Sequence, residues 1–146
     1  MSRLALIDPQ HTTPERRALL ADIQRAFGAT PNMFRAVAHS PAALRSLWGA
    51  FVALGGGVLP TALAEQIAVA VAERNACDYC LAAHTALGRK AGVSAEAMAA
   101  AQLGQSADPR TAAALRFALA LVERRGQVGE SDVLGLRDAG YSDEEI

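Results

Sequence analysis

The sequence predicts an all-α fold, a bundle of about six to eight helices in one domain spanning residues 1–146. Three observations carry this expectation. Hydrophobic residues make up 51% of the chain but aromatics only 5%, so alanine, leucine and valine dominate. Alanine is the best helix former and is small enough for helices to pack closely. Apolar positions recur at three- and four-residue intervals, with no strand-like alternation and no internal repeat. Helix-start signals of the Ser/Thr/Asp-Pro type recur along the chain, and glycines stand where the runs should end.

Taken in order, Thr13-Pro14 reads as an N-cap followed by the first helical residue. The stripe Ala18, Leu19, Ile23, Ala26 and Phe27 follows, and Gly28 stops it. Pro31 can open a short helix. Ser40-Pro41 starts the next, whose stripe is Leu44, Leu47, Trp48, Phe51 and Leu54, and the three glycines at 55–57 break it. Pro60-Thr61 opens a run to Asn75 that is apolar nearly all round, which places it at the centre of the fold. A helix should then begin at or near Cys77 and end before Gly92. Ser94 caps another, Asp108-Pro109 opens the longest periodic run after it, and residues 131–140 form a shorter amphipathic segment. Ser142 and Glu145 have capping-box spacing, with Asp143 and Glu144 in the first turn. These are the signals of one more helix, so a C-terminal helix is expected to be missing after Ile146.

Charge and hydropathy narrow the function classes. The net charge is -1 and the pI about 6.3, without the basic footprint of a nucleic-acid binder. The first ten residues lack the apolar core of a signal peptide, and no stretch reaches the roughly 18 uninterrupted apolar residues of a membrane span. The expectation is a soluble cytoplasmic protein that binds neither nucleic acid nor membrane. An alanine-rich helical chain of this size also tends to carry more apolar surface than one subunit hides, which points to a homo-oligomer.

Residues 73–84, ERNACDYCLAAH, hold both cysteines and one of the three histidines. On one helix, at about 100° per residue, Cys77, Cys80 and His84 lie within roughly 60° of one another. Cys80 and His84 are an i, i+4 pair. If Asn75 ends the preceding helix, the cysteines sit at a helix N-terminus, where unpaired N–H groups favour a thiolate. Cys-x-x-Cys there suits a reversible dithiol, because a partner thiol one turn away captures the oxidised sulfur before it over-oxidises. A c-type haem motif would need histidine directly after Cys80, and Leu81 stands there. Zinc would need a fourth ligand beyond Cys77, Cys80 and His84, for which Glu65 or Glu73 is available. Two inert small core residues are the remaining reading. Glu73, beside Arg74 near a helix end, reads as solvated. Glu65 lies among Leu63, Ala64, Ile67 and Ala68, where a carboxylate is costly unless paired, and a histidine of the next helix is its natural partner. A Glu–His–Cys chain of this kind could take a proton from a thiol and return one to a leaving oxygen.

The pattern E-x11-C-D-Y-C-x3-H, as Glu65, Cys77, Cys80 and His84, resembles the core motif of alkylhydroperoxidase D (AhpD)-like proteins of the carboxymuconolactone decarboxylase superfamily. Residues 31–51 and 140–146 are similar to its peroxidase-related branch, and the resemblance runs from about residue 12 to the end of the chain. It implies an all-helical trimer or hexamer and a thiol-dependent peroxidase or disulfide reductase. It also implies Cys80 as the peroxidatic nucleophile, Cys77 as the resolving thiol, and His84 with Glu65 as proton relay. The substrate would be a hydroperoxide and the reductant an external dithiol or a redox protein, with no metal or other cofactor. One position departs: the well-studied pattern has histidine before the second cysteine, and this chain has Tyr79. A phenol is neutral near pH 7, so it can donate a hydrogen bond but is a poor proton shuttle. Two other readings stand beside the peroxidase: a general dithiol–disulfide oxidoreductase or redox sensor, and an oligomeric helical scaffold or small-molecule binder with incidental cysteines.

Overall fold

The structure, a computed structural model, describes residues 3–146, and among these every regular element is an α-helix. There are eight: α1 (Pro14–Phe27), α2 (Asn32–Val37), α3 (Pro41–Gly55), α4 (Thr61–Arg74), α5 (Asp78–Lys90), α6 (Ala95–Gln102), α7 (Pro109–Glu123) and α8 (Glu130–Asp138). They form two compact units, one ending at Gly57 and the other running from Val58 to Ile146.

The first unit holds α1 to α3. The side chain of Thr13 accepts from the Arg16 N–H and that of Ser40 from the Ala43 N–H, so both expected caps form. Gly28 closes α1 in the left-handed conformation, φ 74°. The core of this unit is Leu20, Ile23, Phe34, Ala38 and Leu44, with Leu19, Leu47 and Trp48 packed against it. Phe34 meets Trp48 and Phe51 edge-on, with ring centroids 5.9 Å and 5.4 Å away. The α1 stripe is shifted from expectation. Leu20 is buried, whereas Ala18 and Ala26 are exposed and Phe27 keeps 39% of its surface. The α3 stripe also divides: Leu44 is buried, but Leu54, three turns on, is 80% exposed.

The second unit is built around α4, which packs against α5, α6 and α7, as its all-round apolar composition predicts. Val69 and Ala70 join Met98, Ala101, Leu115 and Leu119 in one cluster. Leu63 joins Ala113, Ala114, Leu136 and Tyr141 in a second. Ser94 caps α6 through the Ala97 N–H, and Asp108 caps α7 through the Thr111 N–H and hydroxyl. Gly104, after α6, combines φ 74° with close approach, since a Cβ there would lie 2.6 Å from Leu119 Cδ1.

The last residues are fastened to α7. Arg110 stacks its guanidinium 4.1 Å from the Tyr141 ring centroid and pairs with Glu145 at 2.6 Å. The Tyr141 hydroxyl donates to the Arg110 carbonyl. Ser142 and Glu145 exchange the reciprocal bonds of a capping box: Ser142 N–H to the Glu145 carboxylate at 2.8 Å, and Glu145 N–H to the Ser142 hydroxyl at 3.3 Å. Residues 143–145 form a turn.

Candidate active site

The sequence signals converge at the joint between α4 and α5. Helix α4 stops at Arg74, and the chain reverses through Asn75 and Ala76. The Cys77 N–H donates to the Ala72 carbonyl and the Ala76 N–H to the Glu73 carbonyl, the paired bonds of a Schellman ending. That motif demands a left-handed residue. Here it is Ala76, at φ 49°, rather than glycine. The following residue, Cys77, is the N-cap of α5, and its Sγ accepts the Cys80 N–H at 3.3 Å.

The helix thus starts one residue later than a helix containing both thiols would. Cys80 is in its first turn and Cys77 outside it, with φ -101° and ψ 86°. The two cysteines are disulfide-bonded, with Cα atoms 5.3 Å apart, and both are partly exposed. The location suits reversible chemistry. A thiolate released at Cys77 would lie against the N–H groups of the first turn of α5.

Glu65 projects from α4 toward α5, and His84 Nδ1 lies 2.7 Å from its Oε2. The carboxylate is the more enclosed partner, its side chain 15% exposed against 31% for the imidazole. Because a carboxylate only accepts, the proton of this bond belongs to Nδ1, and Nε2 of a neutral imidazole then carries the free lone pair. His84 is one turn beyond Cys80 on α5, an i, i+4 spacing that puts the two on the same face of the helix. The arrangement can therefore move a proton to or from the cysteine end of α5, with Glu65 orienting the ring.

Glu73 has a different environment. It is exposed and accepts from the Gln102 side-chain amide at 2.7 Å, a bond that ties α4 to α6. Tyr79 lies between the cysteines on the open side of α5, 54% exposed. Among the described residues, no group of three or more His, Cys, Asp or Glu side chains is arranged to hold a metal ion. Two residues of this joint had no place in the motif: Gly88, buried one turn beyond His84, and Met98, packed against it. A glycine inside a helix is the signal that points to the first of them, since it disfavours the helix by about 1 kcal/mol relative to alanine. Nothing in the pattern singles out Met98.

Comparison with known proteins agrees with this architecture. Residues 38–124 match the family model described as the carboxymuconolactone decarboxylase family. The chain superposes, with a TM-score of 0.86 and 30% identity, on the crystal structure of an uncharacterized peroxidase-related protein with an alkylhydroperoxidase AhpD core from Ralstonia eutropha JMP134. That match covers 99% of this chain and 78% of the other. An uncharacterized peroxidase-related protein from Silicibacter sp. TM1040 superposes with a TM-score of 0.81 at 24% identity, over 99% of this chain and 80% of its own, a likeness of fold. No curated protein matches. The family match spans more than half of the chain and contains the whole α4–α5 joint, and the fold is AhpD-like: this chain belongs to the carboxymuconolactone decarboxylase family.

Proposed function

We propose that this protein is a thiol-dependent hydroperoxide reductase, and that the Cys77–Cys80 pair is its redox centre. The observation that carries the reading is the juxtaposition of a closed Cys-x-x-Cys disulfide at the start of α5 with the 2.7 Å His84–Glu65 pair one turn further along. The reduced enzyme begins with Cys80 as thiolate, its proton taken by His84. The thiolate sulfur attacks the terminal oxygen of the hydroperoxide, and the O–O bond breaks. The electron pair of that bond leaves on the departing alkoxide, which receives the proton from His84 as an alcohol. Cys80 is then a sulfenic acid. The Cys77 sulfur displaces its hydroxyl, which departs as water, and the disulfide forms. An external dithiol or a redox protein returns two electrons by thiol–disulfide exchange. Glu65 acts throughout by holding the imidazole and stabilising its protonated form.

Reduced protein mixed with a hydroperoxide should lose its two thiols in step with peroxide consumption, and Cys80→Ser should abolish the reaction. Peroxide consumption by Cys80→Ser at the parent rate would refute the assignment.

A second reading keeps the redox pair but assigns it to general dithiol–disulfide exchange. Tyr79 favours it, because an exposed phenol stands where the peroxidase pattern has a histidine. Negligible peroxide consumption combined with rapid, reversible exchange with a dithiol would select that reading. We also propose a cytoplasmic homo-oligomer, a trimer or hexamer. A reducing compartment suits a cysteine pair that must be recycled, and the exposed Val52 and Leu54 on α3 support association.

A further inference from the structure

We propose that Gly88 is a positioning residue of the site: the absence of a side chain there lets α4 approach α5 closely enough for the Glu65 carboxylate to reach His84. The inference rests on the reading of Glu65 and His84 as the proton relay.

Gly88 lies inside α5, four residues after His84, so both face the same side of the helix. It is buried, and it is not among the positive-φ glycines, so its backbone is open to any residue. Conformational freedom therefore does not explain a glycine there, and helix propensity argues against it. Space does explain it. A Cβ at position 88 would lie 3.3 Å from the Cβ of Glu65 and 2.6 Å from both the Sδ and Cε of Met98.

The two obstacles are unequal. The Met98 thioether is the end of a flexible side chain and can swing aside. The Glu65 Cβ is bonded directly to the backbone of α4 and no side-chain rotation moves it, so clearing it means moving α4 and α5 apart by a few tenths of an ångström. That movement carries with it the residue whose carboxylate makes the 2.7 Å bond to His84. A charge-assisted bond this short tolerates little displacement before it weakens. Gly88 thus fixes the separation of α4 and α5 at the level where the relay crosses between them.

The test is the imidazole N–H resonance of His84 in proton NMR of the full chain, recorded cold to slow exchange. The parent should show a far-downfield Nδ1 proton that disappears in Glu65→Gln. Met98→Val, which leaves Gly88 in place, should retain it. The double variant Gly88→Ala/Met98→Val has room for the new Cβ on the Met98 side, so it should fold, yet it should lose the resonance or shift it well upfield. Its peroxide-dependent thiol loss should fall about tenfold. Retention of the parent resonance in the double variant would overturn the proposal, as would its loss in Met98→Val alone or the lack of any Glu65-dependent resonance in the parent. The spectrum reads the hydrogen bond without reference to peroxide, so a parent inactive toward hydroperoxides would sink the functional reading and leave this test standing.

Discussion

At the residue scale, the joint between α4 and α5 concentrates the interactions of the proposed site. Glu65 and His84 are 19 positions apart in sequence and 2.7 Å apart in space. Glu65→Gln preserves the shape of the side chain but removes its charge, so it should slow peroxide-dependent thiol loss by roughly ten- to a hundredfold while leaving the far-ultraviolet circular dichroism unchanged. An unchanged rate would remove Glu65 from the mechanism. Ala76 holds a left-handed conformation disfavoured for any residue with a Cβ by about 1–2 kcal/mol. Ala76→Gly removes that strain but loosens the unfolded chain, which offsets part of the gain. Chemical denaturation should find the variant more stable by about 0.5–1 kcal/mol. Residue-scale legibility in the sequence was uneven. Glu65 stood out because a carboxylate in an apolar helix needs a partner. Ala76 did not, because the left-handed position was filled by a residue that does not announce it.

At the scale of single elements, the caps carry the most direct sequence information. Thr13, Ser40, Ser94 and Asp108 all accept an N–H of the first turn of the helix they precede. Asp108 adds a pH dependence. Its carboxyl is held below the usual carboxylate value, first by the Thr111 hydroxyl and then by the Thr111 N–H. A group whose folded-state pKa is depressed contributes stability that is present above its unfolded value, near 3.9, and is lost as pH falls through the lower folded value. Acid titration of the melting temperature should show this loss below about pH 4. Asp108→Asn keeps a capping oxygen without a titrating group, so the difference between parent and variant should shrink as the pH falls through that range. A difference that stays constant would remove Asp108 as a source of the pH dependence. Helix α3 shows where element-level reading ran out. Periodicity drew one stripe from Leu44 to Leu54, but it carries no information on where the packing partner ends, and the far half of the stripe is exposed.

At the scale of the whole molecule, the exposed apolar residues bear on the proposed oligomer. Val52, Leu54 and Val58 are each at least half exposed, and Phe51 keeps 39% of its surface. Such residues in one short stretch are uncommon on a monomer that remains alone in solution. Sedimentation velocity at micromolar concentration should give a species of three or six times the 15.2 kDa chain, and Leu54→Glu should shift it toward smaller species. A 15.2 kDa monomer throughout would refute the oligomer.

The sequence by itself determined the helical class, the positions of the helix starts and which residues are candidates for the site. These depend on short-range chemistry: proline lacks an N–H, hydroxyls and carboxylates cap, and Cys-x-x-Cys and Cys-x3-His are separations within one or two turns. The tertiary structure alone decided that Cys77 is a cap rather than a helical residue, that Ala76 turns the chain left-handed to place it there, and that Gly88 and Met98 share the contact behind Glu65. The first two are set by the local turn that ends α4, while the last depends on the distance between helices, and no local pattern of residues encodes that separation. It follows from the side-chain volumes that meet in the interior once α4, α5 and α6 have packed.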